Sequence, residues 1–321
     1  MRPYLTEEAE MKDYRSIVDR IKGPLVPIMP AFNDDESLDF NSTCNWIDWL
    51  INSGIKLFWT TYGTSHYMCL TDAEIIALTK AVAEITRGKA IFIAATNFHW
   101  PISKCTEFMQ YAADCGADIV KLQVDWRWNP NDDMVFDFYR KLAEVSPLPL
   151  FAYTLAANGT AGMTNALLKR ILDLPQFVGM KNDSGDFYEH CAYLRTVRLH
   201  GTRFVPMTGG TMMSFLHGRK FGAQAFATAV GMFAPQVPIA FTKYLDEGQE
   251  EKAVAIIREH GDPSLYELAK PLGLNNHWAL YHTALKLCGH FRTDLMRFPL
   301  QTCDPSAVDA VRRFLSDTGI L

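Results

Sequence analysis

Short apolar runs, rich in β-branched and aromatic residues, recur roughly every 20 to 35 residues and constrain the fold of this chain more than any other feature. Stretches with helical spacing of apolar residues separate the runs, a pattern typical of repeated βα units and a parallel sheet. Eight such units close a barrel. The runs begin near Pro24, Ile55, Ala90, Ile119, Pro149, Phe177, Arg203 and Ala223.

The predicted fold class is therefore α/β, a (β/α)8 TIM barrel with a C-terminal helical domain. After Pro235 the pattern changes to helical segments alone, which indicates the appended helices. We expect an N-terminal helical extension over 1–21, the barrel over 22–238 and the helical domain over 239–321. Asp304 followed by Pro305 is typical of the start of a final helix, with Asp304 as its N-cap.

Composition narrows the classes of function. A formal charge of −5 and no run of like charges disfavour nucleic-acid binding, so a small-molecule substrate is expected. The seven cysteines contain no Cys-x-x-Cys pair, which fits reduced thiols in a cytoplasmic protein. No stretch reaches the roughly 18 uninterrupted apolar residues of a membrane span, and the N-terminus lacks the apolar core of a signal peptide.

Two of the apolar runs end on polar side chains that can carry chemistry. The run LPLFAY ends on Tyr153, and the run FVGMK ends on Lys181. In neighbouring strands of a parallel barrel, both side chains would point into the barrel mouth. Burial there favours the neutral amine that attacks a carbonyl, and an adjacent tyrosine can move protons. The alternative for Lys181 is a lysine that extends from a strand end into solvent.

Tyr153 and the segment GMKNDSGD, residues 179–186, together resemble the dihydrodipicolinate synthase and N-acetylneuraminate lyase family. The resemblance extends over roughly residues 22 to 300. It implies a Schiff base between Lys181 and pyruvate or another 2-oxo acid, with Tyr153 moving protons. It also implies a homo-oligomer, usually a tetramer. No cofactor is expected, because the protonated imine is itself the electron sink.

In that family, hydroxyls and backbone N–H groups of the loop after the second strand hold the substrate carboxylate. Here the loop reads TTYGTSHY over residues 60–67. Alignment on its glycine places Thr64 and Ser65 at the hydroxyl positions, whereas alignment on the downstream leucine places Gly63 and Thr64 there. We expect these residues to form a carboxylate cradle, with a plain turn as the alternative. His66 is a candidate acid or base, or equally a structural histidine.

Other positions depart from the family and are candidate specificity residues. Arg127 replaces a tyrosine that relays protons in lysine-biosynthetic members, and it could instead be a surface arginine between two tryptophans. Neutral Asn158 lies in the segment where many synthases carry a carboxylate-binding arginine. Thr211 ends TGGT in place of the family's Ser-Gly-Asp-Asp loop. These departures disfavour lysine biosynthesis and sialic acid cleavage. Gly209 and Phe226 are also assigned to substrate binding.

The sequence thus predicts a class I aldolase, lyase or dehydratase that acts on 2-oxo acid and aldehyde substrates through Lys181. Two alternatives stay open. One is a barrel enzyme that uses a metal ion to polarise the carbonyl, although the nine histidines include no His-x-x-x-His spacing and no metal ligand is assigned. The other is a catalytically silent barrel that binds 2-oxo acids without turnover.

Overall fold

Eight parallel strands form a closed barrel, which confirms the predicted fold class. The computed structural model describes residues 14–97, 101–122, 124, 129–154, 162–183, 186–209, 211–260, 264–274 and 277–321. The barrel strands are β1 (Gly23–Pro27), β4 (Leu57–Trp59), β5 (Ile91–Ala95), β6 (Ile119–Lys121), β7 (Leu150–Thr154), β8 (Phe177–Asn182), β9 (Val205–Thr208) and β10 (Ala225–Ala227). They follow one another in this order around the barrel, and β10 pairs with β1 to close it.

Between β1 and β4, two short strands pair in an antiparallel manner outside the barrel sheet, β2 (Ala31–Phe32) and β3 (Leu38–Asp39). A helix follows each barrel strand, namely α1 (Phe40–Asn52), α2 (Asp72–Thr86), α3 (Ile102–Cys115), α4 (Asp132–Val145), α5 (Asn165–Leu172), α6 (Phe187–His200), α7 (Met212–Arg219) and α8 (Gln236–Asp246). Short 3-10 helices cover Tyr14–Arg20, Tyr67–Cys69 and Val230–Met232.

The remaining helices are α9 (Glu250–His260), α10 (Ser264–Ala269), α11 (Trp278–Leu287) and α12 (Pro305–Asp317). The domain boundary that the sequence suggests at residue 238 falls inside α8, which follows β10 as the eighth barrel helix. The start of α12 is as predicted, since the Asp304 carboxylate accepts a hydrogen bond from Ala307 N at 2.8 Å. No helix within the described part of the chain is long and apolar enough to cross a membrane.

Side-chain alternation sorts the strand residues into two apolar clusters. One fills the barrel interior, and the other lies between the sheet and the helices. Ile17 and Val18, from the 3-10 helix Tyr14–Arg20, pack into the interior cluster beside Leu25 of β1. This helix therefore closes the end of the barrel where the strands begin, and leaves the opposite end as the mouth.

The C-terminal region is fastened to the loop after β4. Arg297 donates to Glu74 Oε1 of α2 at 2.8 Å and to the carbonyl oxygen of Cys69 at 2.9 Å. Hydrogen bonding from Arg297 lowers the pKa of Glu74 to about 2. Trp278, the first residue of α11, packs on Gly63 so closely that a Cβ there would lie 2.9 Å from the indole. The position of this loop therefore depends on residues more than 200 positions away.

Gly179 on β8 makes room for an aromatic ring inside the barrel. The β7–β8 register shifts at Leu150/Phe151, so that Phe151 pairs with Gly179. A Cβ on Gly179 would lie 2.2 Å from Phe151 Cε2 and 2.9 Å from the carbonyl oxygen of Val205. The same register then pairs Tyr153 with Lys181, one inward position nearer the mouth.

We predict that Gly179→Ala destabilises the protein by about 3 kcal/mol, because the added methyl group overpacks the interior. The midpoint of urea denaturation at pH 7 measures this change. In a Phe151→Leu background the same substitution should cost clearly less, since the ring edge it strikes is gone. Equal costs in the two backgrounds would contradict this account of Gly179.

Candidate active site

Tyr153 and Lys181 lie side by side at the carboxyl ends of two adjacent barrel strands. They are register partners on β7 and β8. The Lys181 side chain is 10% exposed, and its Nζ lies 5.4 Å from the centroid of the Tyr153 ring. In (β/α)8 barrels this end of the strands carries the chemistry, so both residues are candidates for contact with a substrate.

Asp183 joins these two side chains. Its Oδ2 accepts a hydrogen bond from the Tyr153 hydroxyl at 3.0 Å and forms a close ion pair with Lys181 Nζ. The Asp183 side chain is 19% exposed, so the pair sits at the edge of solvent. One carboxylate oxygen thus orients both a candidate nucleophile and a candidate proton carrier, in the manner of a catalytic triad.

Gly209 provides the space for this carboxylate. A Cβ built on Gly209 would lie 1.8 Å from Asp183 Oδ1. Gly209 N also donates to the carbonyl oxygen of Asn182 at 3.1 Å, which holds the two strand ends together. Gly209 is therefore part of the site, where its absent side chain admits Asp183.

A second lysine, Lys121 on β6, lies inside the same barrel. It is fully buried, and its Nζ has no hydrogen-bond partner among the described residues. The amine stands 4.1 Å from the Trp59 ring centroid and 5.0 Å from that of Tyr153. Lys181 Nζ lies over the same two rings, 5.2 Å from Trp59. Two amines therefore share one aromatic enclosure.

Burial shifts the proton affinities of two of these groups. Desolvation lowers the pKa of Lys121 well below its ordinary value, and the like charge of Lys181 lowers it further. Desolvation raises the pKa of Tyr153 well above its ordinary value, with the negative charge of Asp183 acting in the same direction. Tyr153 therefore remains a phenol, able to donate a proton rather than carry a charge.

Two of the three residues predicted to bind the substrate carboxylate make other contacts. Ser65 is fully buried, and its hydroxyl donates to the carbonyl oxygen of Ile28 at 2.5 Å while accepting from Thr61 N at 3.0 Å. Gly63 lies beneath Trp278. Thr64 is half-buried and remains the candidate of the three for contact with a substrate carboxylate.

His66 lies in a buried histidine pair, where its described ring contacts are with Phe32, Trp278 and His282. Its Nε2 is 3.0 Å from Nε2 of His282 on α11, and its ring stacks on Phe32. Desolvation lowers the pKa of His66 to about 3 and that of His282 well below its ordinary value. A neutral, fully buried imidazole fits the structural alternative for His66.

Phe226 is not at the site, contrary to its assignment from sequence. Ala225 and Ala227 face the barrel interior, so Phe226 between them faces the helices and stacks on Phe215 at 4.6 Å. Thr211 is the N-cap of α7, where its hydroxyl accepts from Ser214 N at 2.9 Å. The other two candidate specificity residues lie outside the described residues, namely Arg127 and Asn158.

Sequence reasoning missed Asp183, Lys121 and Trp59. Asp183 lies within the segment that carries the family resemblance, but its position after the lysine gave no role. Lys121 was visible as a charged residue within an apolar strand, the run IVKLQV. Such a residue in a strand buried on both faces is a usable signal, because burial of an unpaired amine is costly.

The barrel and its clustered amines, phenol and carboxylate are typical of a (β/α)8 enzyme with a candidate lysine nucleophile at the strand ends. A family model supports this class. Residues 20–318 match the dihydrodipicolinate synthetase family, and the chain belongs to that family as a lyase of the dihydrodipicolinate synthase type. The match spans the barrel strands and the C-terminal helices through the end of α12.

Relatives carry more than one activity in their names. The chain is 23% identical over 302 residues to a 4-hydroxy-tetrahydrodipicolinate synthase of Anaplasma marginale (strain Florida), covering 94% of this chain and 96% of that one. It is 25% identical over 304 residues to a probable 5-dehydro-4-deoxyglucarate dehydratase 2 of Streptomyces avermitilis, covering 92% and 87%.

Solved structures share the fold at low identity. Dihydrodipicolinate synthase from Oceanobacillus iheyensis superimposes with a TM-score of 0.84 at 19% identity, over 96% of this chain and all of that one. YagE, a prophage protein of the same family from E. coli K12 in complex with pyruvate, gives a TM-score of 0.84 at 20% identity, over 94% and 99%.

We predict that Asp183→Asn lowers the free energy of unfolding by about 2–4 kcal/mol at pH 7, because it leaves the Lys181 amine without its buried counter-charge. Urea denaturation measures the loss. The double variant Lys181→Met with Asp183→Asn should regain most of it, since no amine is left unpaired. A double variant no more stable than Asp183→Asn would contradict the ion-pair account.

The buried histidine pair predicts acid sensitivity. Because the folded-state pKa of His282 lies below its unfolded value, the pair contributes full stability above about pH 6.5 and loses it as the pH falls. His282→Leu removes one titrating ring. Lowering the pH from 8 to 5 should therefore reduce the free energy of unfolding of the variant by about 2 kcal/mol less than it reduces that of the wild type. A pH-independent difference between their urea midpoints would refute this.

Proposed function

We propose that this protein is a Schiff-base-forming lyase of the class I aldolase or dehydratase type, which acts on pyruvate or a related 2-oxo acid through Lys181. The observation that carries the proposal is the register pairing of Tyr153 with Lys181 and their shared contact with Asp183 Oδ2 at the barrel mouth. A carboxylate alone would satisfy a structural lysine as its counter-charge, but the Tyr153 phenol that shares this carboxylate supports a role in proton transfer.

The proposal gives each group a role that its position supports. Lys181 Nζ attacks C2 of the 2-oxo acid and forms a carbinolamine, which loses water to give an iminium ion. Tyr153, a phenol oriented by Asp183, passes protons between the reacting oxygen and solvent. The iminium then withdraws electrons from the adjacent carbon. Cleavage or formation of a carbon–carbon bond, or loss of water from the substrate, can follow from the same intermediate.

The names of the relatives support the shared first steps, in which the imine forms, rather than one particular reaction of that imine. One relative is named a synthase and another a dehydratase, and a solved structure of similar fold holds pyruvate. All three fit chemistry that begins with a 2-oxo acid. We propose pyruvate or a larger 2-oxo acid for the imine, with the aldehyde or hydroxy-acid partner set by the other half of the pocket.

A homo-oligomer, most simply a cytoplasmic homotetramer, remains part of the proposal. Solved structures of similar fold include one named as a monomeric dihydrodipicolinate synthase variant, so the fold alone does not fix the assembly. Light scattering after size-exclusion chromatography distinguishes monomer, dimer and tetramer directly.

Incubation with pyruvate and reduction with borohydride should leave a covalent adduct on Lys181. Mass spectrometry of the digested protein locates it. The adduct should be absent in Lys181→Met. In Tyr153→Phe it should form at least about 100-fold more slowly, because the proton carrier is lost.

A panel of longer 2-oxo acids extends the same experiment if pyruvate reacts poorly. Lack of any adduct across the panel, in protein with an unchanged thermal transition, would overturn the proposal. An adduct on Lys181 without turnover of any aldehyde or hydroxy acid would favour the catalytically silent barrel.

A further inference from the structure

The loop after β4 contains a residue whose backbone conformation is uncommon for a side chain with a Cβ. His66 has φ 55° and ψ 32°, in the left-handed region that favours glycine. Such a conformation persists where the surrounding contacts hold it. The contacts of the His66 ring therefore help to determine the path of this loop beside Thr64, the candidate for binding the substrate carboxylate.

Two residues of α11, one helical turn apart, contact this loop. Trp278 packs on Gly63, where a Cβ would lie 2.9 Å from Cζ2 of the indole. His282 Nε2 lies 3.0 Å from His66 Nε2, and 216 residues separate the two histidines in the chain. Residues four positions apart lie on the same face of a helix. One face of α11 therefore contacts the loop both before and after Thr64.

The histidine pair is a buried hydrogen bond between the loop and α11. Both rings are fully buried, and desolvation lowers the pKa of each, so both imidazoles are neutral at pH 7. Two neutral rings that face each other at this distance share one proton, with one Nε2 donating and the other accepting. Phe32 stacks on both rings, with centroids 6.2 Å from His66 and 6.0 Å from His282. A ring that turned away would lose its hydrogen bond where solvent does not replace it.

Contacts within the loop fix the residues next to Thr64. The Ser65 hydroxyl donates to the carbonyl oxygen of Ile28 at 2.5 Å, and the backbone N–H of His66 donates to the carbonyl oxygen of Gly63 at 2.9 Å. Thr64 lies between these residues and is half-buried. Its position therefore follows from that of its neighbours, two of which contact α11.

We propose that His282, together with Trp278 on the same face of α11, positions the Thr64 hydroxyl to bind the carboxylate of a 2-oxo acid. The inference rests on the proposed function, since it concerns the site in which Lys181 forms its imine. His282 is a positioning residue, which acts on the substrate through His66 and the backbone of the loop. The C-terminal helices thus contribute to substrate affinity as well as to the fold.

A small displacement of Thr64 is enough to weaken binding of the substrate. A hydrogen bond from a hydroxyl to a carboxylate is charge-assisted, and it weakens steeply as its distance and angle depart from the optimum. Lys181 instead attacks the carbonyl carbon of the bound substrate. Displacement of the loop should therefore raise the concentration of 2-oxo acid that is needed, while the limiting rate of imine formation stays nearly the same. General loosening of the barrel would lower the limiting rate as well.

The test measures imine trapping on Lys181 with cyanoborohydride at pH 7, by mass spectrometry, as a function of pyruvate concentration. In His282→Leu the half-saturating concentration should rise by about tenfold or more, with a limiting rate within about twofold of that of the wild type. Glutamine places an amide near the position of histidine Nε2 and can donate or accept there. His282→Gln should therefore bring the half-saturating concentration back to within about threefold of the wild-type value.

His290→Leu is the matched control. His290 is a half-buried histidine just beyond the end of α11, and its ring packs on Trp49 with centroids 3.9 Å apart. Its substitution should leave both the half-saturating concentration and the limiting rate unchanged.

His66→Gly removes the pair from the side of the loop. Glycine adopts the left-handed conformation freely, so the backbone of the loop gains no strain from this substitution. The half-saturating concentration should rise as it does in His282→Leu. This variant gives the answer if His282→Leu does not fold, as judged by its thermal transition.

A double-mutant cycle tests whether the effect of His282 passes through Thr64. Thr64→Val removes the hydroxyl with little change of shape, and it should itself raise the half-saturating concentration by about tenfold. In this background His282→Leu should add less than about threefold, because the contact that His282 positions is already lost. Fold-changes that multiply would overturn the inference, as would a Thr64→Val variant that binds pyruvate as the wild type does.

The outcomes separate this inference from the proposed function. An unchanged half-saturating concentration in His282→Leu, or in His66→Gly, would overturn the inference and leave the imine on Lys181 intact. A limiting rate that falls as much as the affinity would also overturn it, since that indicates general disruption of the site. If the wild type forms no adduct with pyruvate or with any longer 2-oxo acid, the proposed function fails, and the role of His282 fails with it.

Discussion

Desolvation of lysine amines in an apolar barrel is the constraint on which this site depends. Lys121 and Lys181 both point into the interior, and Asp183 is the carboxylate that the described residues offer them. Removing ammonium ions from water costs far more than the aromatic faces of Trp59 and Tyr153 return. Burial accordingly lowers the pKa of Lys121 well below its ordinary value and favours the neutral form of this amine.

The barrel was predictable because parallel strands are buried on both faces and leave continuous apolar runs in the sequence. Because these runs are apolar throughout, the sequence does not show which residues face the barrel interior and which face the helices. For this reason Phe226 was assigned to the pocket although it packs on helices. The two-residue strands Ala31–Phe32 and Leu38–Asp39 are too short for any periodic signal.

The candidate nucleophile was identified from local sequence, whereas its environment was not. Asp183 reaches Tyr153 only because Gly209, directly after β9, leaves space for its carboxylate. The Ser65 hydroxyl, predicted to bind the substrate carboxylate, donates instead to the carbonyl oxygen of Ile28, 37 residues earlier. Such contacts between distant segments set the orientation of the side chains at the site, and no motif encodes them. This explains how family membership can be clear while the substrate is not.

The full burial of Lys121 also concerns the folding reaction. In the unfolded chain this amine is in water and carries a proton at neutral pH. Since burial lowers the pKa of Lys121 well below its ordinary value, closure of the barrel weakens the binding of that proton, and folding is coupled to proton release. The enthalpy of unfolding should then depend on the ionisation heat of the buffer, and calorimetry in buffers of differing ionisation heat would count the protons exchanged. Assembly of this barrel is thus an acid–base reaction as well as a hydrophobic collapse.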